Sequence, residues 1–129
     1  MRMESNRFQQ CNLNPSGIRV GDCTIRAISK ATGKPWNEVF LGLCVHGFYL
    51  HDMPSANRVW GAYLKEQGFR RRPIDDDITV TDFCRDHPEG TFLLCSDGHI
   101  VCAVDGQYFD TWDSGQEMPL YYWERGESP

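Results

Sequence analysis

The sequence predicts an α+β protein in which N-terminal helices pack on a C-terminal antiparallel β-sheet. Apolar residues recur at helical spacing between positions 23 and 67, whereas alternating, β-rich runs appear after position 90. This segregation along the chain is typical of α+β rather than of alternating α/β proteins. The 129 residues, 40% of them apolar, suffice for one core, so we expect a single domain over residues 1–129.

The helical half begins with an extended or looped lead-in, because the residues up to position 20 are rich in Asn, Gln, Pro and Gly. Asp22 is the expected N-cap of a helix from Cys23 to about Ala31, closed by Thr32 and Gly33. Three further helices are predicted: one from Pro35 to a turn near Gly47, one over 55–67 that stops at Gly68, and a short one from Thr79 or Thr81 to the residue before Pro88. The arginines at 70–72 and the aspartates at 75–77 are expected to form a solvated connector.

The strand half is organised around one hairpin. Residues 91–96 and 99–104 are β-type runs, and Asp105-Gly106 is a strong signal for a two-residue turn. Such a turn places Val104 opposite Gln107 and predicts a return strand over 107–112. A last strand is expected over 120–123.

Composition and charge disfavour two classes of partner. Thirteen Lys and Arg against eighteen Asp and Glu leave a formal charge of -5, so we expect no nucleic-acid partner. No apolar run approaches the roughly 20 residues that a membrane helix needs, so we expect no membrane partner. The first ten residues lack the apolar stretch of a secretory signal, and we therefore expect a cytoplasmic protein with six reduced cysteines.

Cys23 differs from the other five cysteines in its position. It follows Gly21-Asp22 in the first turn of a predicted helix, where free backbone N–H groups and the helix dipole favour a thiolate. The thiolate is the nucleophilic form, and a nearby histidine would complete an ion pair and later protonate a leaving group. A cysteine at a helix start is by itself more often a packed thiol, so the hypothesis depends on a partner.

His99 is the expected partner, because it opens a strand and is held on a rigid element, whereas the other three histidines flank loops or turns. The two-residue turn makes His99 and Asp110 diagonal neighbours on one face of the sheet. Asp113 has the opposite parity, and a bulge in the hairpin would reverse the choice. We therefore expect Asp110 to orient His99.

The order and setting of three motifs resemble those of papain-like cysteine peptidases. The motifs are Asp22-Cys23 at a helix start, Gly98-His99-Ile100-Val101 on a strand, and Asp110-Thr111-Trp112 on the next strand. In that superfamily the nucleophile heads the first core helix, and the histidine and its Asn or Asp partner come later, from the sheet. The last motif resembles the Asn-Ser-Trp segment of papain, and the Asp-Cys pair resembles bacterial peptidases that cleave double-glycine leaders.

As a whole the chain is similar, over about residues 12–114, to small uncharacterised proteins of bacteria and their phages. The resemblance implies a papain-like fold, a catalytic triad of Cys23, His99 and Asp110, and a location in the cytoplasm of a bacterial or phage-infected cell.

The chain departs from the papain-like pattern at the residue that stabilises the oxyanion. These enzymes usually place a Gln six residues before the cysteine, where its amide binds the oxyanion, but that position is Gly17 here. Asn14 is the oxyanion candidate, with Asn12 and Gln10 as alternatives, and the backbone N–H of Cys23 is the expected second donor.

Two further residues near the expected site have open roles. Trp112 is a candidate wall of the substrate site, because it should lie across from His99. Arg26, one helical turn after Cys23, has the alternatives of binding a substrate carboxylate or pairing with an acidic residue, and the ion pair is favoured.

The sequence thus predicts a thiol hydrolase that cleaves a peptide, isopeptide or other amide bond through an acyl-enzyme on Cys23, with transfer to an amine as a variant. The expected partner is a protein or peptide substrate, no cofactor or metal is expected, and the short chain predicts a cleft that is shallow or completed by a partner protein. One alternative is a catalytically inactive papain-like binding module, which the missing Gln favours slightly. The other is a structural zinc protein with ligands from Cys84, His87, Cys95, His99 and Cys102, disfavoured because Cys95 and Cys102 have opposite parity.

Overall fold

The computed structural model describes residues 6–75 and 77–126. Within them lie four helices and one six-stranded mixed sheet, so the α+β class is confirmed. The elements in chain order are β1 (Phe8–Gln10), α1 (Cys23–Thr32), α2 (Trp36–Leu50), α3 (Asn57–Glu66), β2 (Phe69–Pro73), α4 (Val80–Asp86), β3 (Thr91–Ser96), β4 (His99–Val104), β5 (Gln107–Asp110) and β6 (Tyr121–Arg125). The strand order across the sheet is β1-β5-β4-β3-β6-β2.

The sheet differs from the predicted one in its two outer strands. β1 pairs parallel to β5, so the sheet is mixed rather than antiparallel, and β1 lies in the segment predicted as a lead-in. β2 pairs antiparallel to β6 and contains the three arginines predicted to form a connector. Of its five residues only Phe69 is buried, so the strand lacks the apolar alternation by which a strand is recognised. Both strands are held mainly by backbone pairing at a sheet edge, which composition does not reveal.

Helix α2 runs further than predicted. The turn expected near Gly47 is absent from the described helix, which continues to Leu50 and ends at His51 in the left-handed conformation, with φ of 57°. A Cβ at Gly47 would lie 2.7 Å from the carbonyl oxygen of Asp52, so the glycine admits the backbone of the following loop rather than breaking the helix.

The β4–β5 hairpin has the predicted turn and register. Asp105 and Gly106 have φ of 49° and 81°, as a two-residue turn with a left-handed backbone requires. Val104 pairs with Gln107, so the alternation of side chains along both strands is as expected from the sequence. This register determines which face of the sheet carries the side chains of β4 and β5.

Helices cover both faces of the sheet, and the candidate site lies on the face that carries α1. Buried residues of α1, α2 and α3 form one apolar cluster with Leu93, Cys95, Ile100 and Trp123 of the sheet. Helix α4 packs on the opposite face, where Phe83 and Cys84 join a second cluster. In the described parts of the chain no helix is both long and apolar enough to cross a membrane.

Candidate active site

Cys23 is the first residue of α1, and its thiol lies beside strand β4. The first backbone N–H to bond within the helix is that of Arg26, which donates to the Asp22 carbonyl at 3.0 Å. The N–H groups of Cys23 and Thr24 precede it and have no acceptor within the helix. Burial opposes ionisation of the thiol, but hydrogen bonds from His99 and from the backbone N–H of Ile100 hold the pKa of Cys23 below its ordinary value.

His99 is the first residue of β4, and Asp110 is the last of β5. The His99 Nε2 atom lies 2.7 Å from Asp110 Oδ2. Because Nε2 is engaged with the carboxylate, Nδ1 is the ring atom available to the Cys23 thiol. The structure therefore brings together the three residues predicted to form the triad, and their catalytic role stays a prediction.

The Asp110 carboxylate is buried and accepts four hydrogen bonds. Oδ2 accepts from His99 and from the Ser114 hydroxyl at 2.7 Å, while Oδ1 accepts from the Thr111 backbone N–H at 2.8 Å and from Arg26 Nη1 at 3.2 Å. Four donors fill the acceptor positions of an ionised carboxylate. Burial alone would favour the neutral acid, but these donors, His99 and Ser114 foremost, keep the pKa of Asp110 below its usual range.

The imidazole of His99 is consequently charged at neutral pH. Its burial disfavours the imidazolium, but the hydrogen bonds to Asp110 and Cys23 and the charges of both groups raise the pKa of His99 to about 9. The thiol pKa is lowered and the imidazole pKa is raised, so the surroundings shift both groups toward a thiolate beside an imidazolium. That is the state in which a cysteine attacks a carbonyl and a histidine supplies a proton.

Asp22 occupies the N-cap position of α1, but its side chain does not cap the helix as predicted. Its Oδ1 atom accepts from Arg26 Nε at 2.8 Å, and Oδ2 accepts from Trp36 Nε1 at 2.9 Å and Asn14 Nδ2 at 3.1 Å. Three side-chain donors therefore draw the carboxylate away from the helix N–H groups. Burial opposes ionisation, yet these bonds keep the pKa of Asp22 below its usual range.

Asn14 lies away from the cavity beside Cys23. Its amide nitrogen donates to Asp22, and its carbonyl oxygen accepts from the backbone N–H and the hydroxyl of Ser16. The alternatives Asn12 and Gln10 also donate elsewhere, to backbone carbonyls of the lead-in and of Thr111. Asn14 therefore helps to hold the Asp22 carboxylate in place. These contacts give no support to its predicted role at the oxyanion.

Trp112 packs against His99, with ring centroids 5.0 Å apart, and its side chain is 41% exposed. It is not among the residues that line the cavity beside Cys23. Trp112 thus shields the imidazole from solvent, and its predicted role as a wall of the substrate site has no support from the lining of this cavity.

The cavity beside Cys23 measures about 260 Å³. One wall comes from the β3–β4 turn and the start of β6, and the other from the beginning of α3; the lining includes Cys23, Thr24, Ser55, Asn57, Trp60, Cys95, His99 and Tyr121. Asn57 and Ser55 line the cavity without having been predicted as site residues. The only signal for them was their place at a helix start, and the wall arises from the packing of α3 against α2 and the sheet.

The other thiols lack the surroundings of Cys23. Burial raises the pKa of Cys84 to about 11 and that of Cys95 to about 12. The expected opposite parity of Cys95 and Cys102 is wrong, because the β3–β4 register pairs Leu93 with Cys102 and both thiols lie in the cluster on the α1 face. Cys84 lies in the cluster on the α4 face, so the sheet still separates residues that the zinc alternative would bring together. Among the described residues, 6–75 and 77–126, no group of three His, Cys, Asp or Glu side chains is close enough together to hold a metal ion.

Comparisons with known proteins gave no match to a family model, to a curated protein or to a solved structure. The function is therefore inferred from the geometry of the site.

Proposed function

We propose that this protein is a papain-like thiol hydrolase that cleaves a peptide, isopeptide or other amide bond through an acyl-enzyme on Cys23. The observation that carries the proposal is that His99 contacts both Cys23 and Asp110. A thiol with a lowered pKa stands at a helix N-terminus, and its histidine is held 2.7 Å from a buried carboxylate. This arrangement matches what thiol-dependent acyl transfer requires: a nucleophile, a general base and acid, and a group that orients the ring.

In the acylation step the Cys23 thiolate attacks the carbonyl carbon of the substrate. The new C–S bond forms as the C=O π pair moves to oxygen, and the oxyanion faces the free N–H of Cys23 at the start of α1. When the intermediate collapses, the C–N bond breaks and the imidazolium of His99 gives its Nδ1 proton to the leaving amine. The products of this step are the amine and a thioester on Cys23.

In the deacylation step neutral His99 takes a proton from water as the water oxygen attacks the thioester. The C–S bond then breaks, and Cys23 leaves as the thiolate beside the renewed imidazolium. Asp110 stays ionised throughout, because its four hydrogen bonds need acceptor lone pairs. An amine in place of water would give transfer to that amine.

The cavity limits the substrate that such a site accepts. A volume of about 260 Å³ is below the range of about 300–1,000 Å³ typical of small-molecule sites. Such a cavity suits a few atoms on either side of a scissile bond in an extended chain. A protein or peptide substrate is therefore proposed, with most of its contacts outside the cavity or on a partner protein.

An activated ester tests the acyl-enzyme without knowledge of the natural substrate. Incubation with p-nitrophenyl acetate is expected to place an acetyl group on Cys23, seen by peptide mass spectrometry. Cys23→Ala and His99→Ala abolish this product, whereas Cys44→Ser, which removes a half-buried thiol on α2, is the matched control and leaves it unchanged. Acetylation spread equally over several thiols would contradict the proposal and favour the binding module. Electrophilic probes built on ubiquitin-like proteins, peptidoglycan fragments and peptides then identify the class of acyl group.

A further inference from the structure

Arg26 connects the candidate triad to a second buried carboxylate. Its Nε donates to Asp22 Oδ1 at 2.8 Å, and its Nη1 donates to Asp110 Oδ1 at 3.2 Å. The three side chains are only 12%, 4% and 2% exposed, in the order Arg26, Asp22 and Asp110. One guanidinium thus bridges two carboxylates out of contact with bulk water.

The bridge extends the triad into a row of five groups with alternating charge. The row runs from Asp22 through Arg26, Asp110 and His99 to Cys23. Each carboxylate lies beside a cation, and each cation lies between two anions when Cys23 is a thiolate. In a buried setting such alternation matters, because an uncompensated charge there is costly.

Arg26 acts on the oxygen of Asp110 that His99 does not use. His99 contacts Oδ2 and Arg26 contacts Oδ1, so the carboxylate is held at both oxygens and cannot rotate away from the imidazole. Asp22 is itself fixed from outside the triad, by Trp36 of α2 and by Asn14 of the preceding loop. The position of the imidazole therefore depends on contacts that reach a second helix.

We propose that Arg26 is a positioning residue of this site: it orients Asp110 toward His99 and supplies the charge that lets two buried carboxylates stay ionised next to the thiolate. The inference deepens the proposed function and rests on it for its catalytic meaning. The titratable groups that face Arg26 are Asp22 and Asp110, with Cys23 one turn earlier on the same helix and His99 beyond Asp110.

Removal of the guanidinium has a definite electrostatic consequence. Without Arg26 the two carboxylates lose the cation that lies between them, so the pKa of Asp110 rises, and the loss of positive charge beside Asp110 favours the imidazolium of His99 more strongly. Arg26 also lowers the pKa of the Cys23 thiol through its charge, after the larger contributions of burial and of the hydrogen bonds from His99 and Ile100. The pKa values of His99 and of Cys23 are therefore both expected to rise.

The test compares Arg26→Met with the natural chain in the titration of two groups, His99 and Cys23. The first readout is the pKa of the His99 imidazole by NMR, and the second is the pH profile of Cys23 alkylation by iodoacetamide. We expect both pKa values to move by about one pH unit in Arg26→Met, so alkylation on the acid limb is about tenfold slower. Arg26→Lys keeps the charge but reaches only one carboxylate, so it gives a smaller shift in the same direction.

Arg125→Met is the matched control for damage to α1. Arg125 donates to the carbonyl of Ala31, near the other end of that helix, and packs on the Phe69 ring. A merely structural role of Arg26 predicts that both substitutions lower stability and that neither moves the two pKa values. If Arg26→Met does not fold, the neutral but polar Arg26→Gln replaces it in the test, and unchanged pKa values in Arg26→Gln overturn the inference.

The two readouts also separate this inference from the proposed function. If Cys23 of the natural chain alkylates no faster than the other thiols, the proposed hydrolase fails. Even then, the change in the pKa of His99 between the natural chain and the Arg26 variants shows whether Arg26 positions Asp110. If Cys23 is selectively reactive and the Arg26 variants leave both profiles unchanged, the inference fails and the proposed function stands.

Discussion

Replacing Asp110 by Asn removes one charge and two acceptor lone pairs from the centre of the site. The pKa of His99 stands at about 9 against an ordinary 6.5, which at about 1.4 kcal/mol per pH unit corresponds to about 3 kcal/mol of preference for the imidazolium. The hydrogen bonds and charges of Asp110 and Cys23 both contribute to this preference. Loss of the carboxylate charge is therefore expected to bring the pKa of His99 in Asp110→Asn down to between about 7 and 8.

The same substitution is expected to destabilise the fold. Four donors converge on Asp110 here, and an asparagine side chain offers a single oxygen to accept them. At least one buried donor is left without an acceptor, at a cost of about 1–3 kcal/mol. Urea unfolding near pH 6 measures this loss in the free energy of unfolding.

The pH dependence of that loss has a defined sign. Because the pKa of His99 is raised on folding, its stabilising contribution is complete below about pH 6.5 and is lost as the pH rises through about 9. The difference in unfolding free energy between the natural chain and Asp110→Asn is therefore expected to shrink from pH 6 to pH 10.

NMR titration of the His99 ring protons is the assay for the pKa itself. Asp113→Asn is the matched control, because Asp113 accepts from the Tyr108 hydroxyl and the Gly115 N–H and has no contact with His99 among its hydrogen bonds. An unchanged pKa of His99 in Asp110→Asn, or an equal fall in Asp113→Asn, would refute the assignment of Asp110 as the group that charges the imidazole.

Three further substitutions test the surroundings of the site and the fold. Ser114→Ala removes a buried donor to Asp110 and is expected to lower the free energy of unfolding by about 1 kcal/mol; an unchanged urea midpoint would count against that hydrogen bond. Trp112→Ala exposes the ring of His99 and is expected to speed exchange of its Nε2 proton with water, seen as loss of the downfield NMR signal; a persistent signal would show that the indole does not shield it. Gly47→Ala places a Cβ 2.7 Å from a backbone carbonyl and is expected to cost about 1–3 kcal/mol in urea unfolding; a neutral effect would mean that the loop moves aside without cost.

The part of the site that could be predicted from the sequence depended on one short turn. Asp105-Gly106 encodes a two-residue hairpin almost independently of its surroundings, and the register of the hairpin then fixed which acidic residue could reach His99. The helix start at Cys23 was equally local, because it followed from the apolar spacing of the helix and the residues before it.

Residues whose roles depend on distant partners could not be assigned in this way. Asp22 has the sequence signature of an N-cap, but Arg26, Trp36 and Asn14 attract its carboxylate more strongly than the helix N–H groups do. The Asn14 amide was predicted to bind the oxyanion, and the structure shows it donating to Asp22, a contact that local sequence does not reveal. Tertiary contacts of this kind override local preference wherever a buried charge must be satisfied.

The edge strands were missed for a related reason. β2 contains three consecutive arginines, and its register with β6 places Arg72 beside Glu124 and lets Arg71 stack on the Tyr121 ring. A run of like charges predicts a solvated connector when no partner is known. The pairing that makes it a strand comes from β6, roughly fifty residues later in the chain.

The central claim is that Cys23 is a thiolate paired with the imidazolium of His99 at neutral pH. Thiolate absorbance at 240 nm, recorded from pH 4 to pH 10 as the difference between the natural chain and Cys23→Ala, measures it most directly. We expect the Cys23 thiolate to appear below the pKa of about 8.5 of an ordinary cysteine, and His99→Ala to move this transition upward. A transition at or above about pH 8.5 in the natural chain, unchanged by His99→Ala, would contradict it.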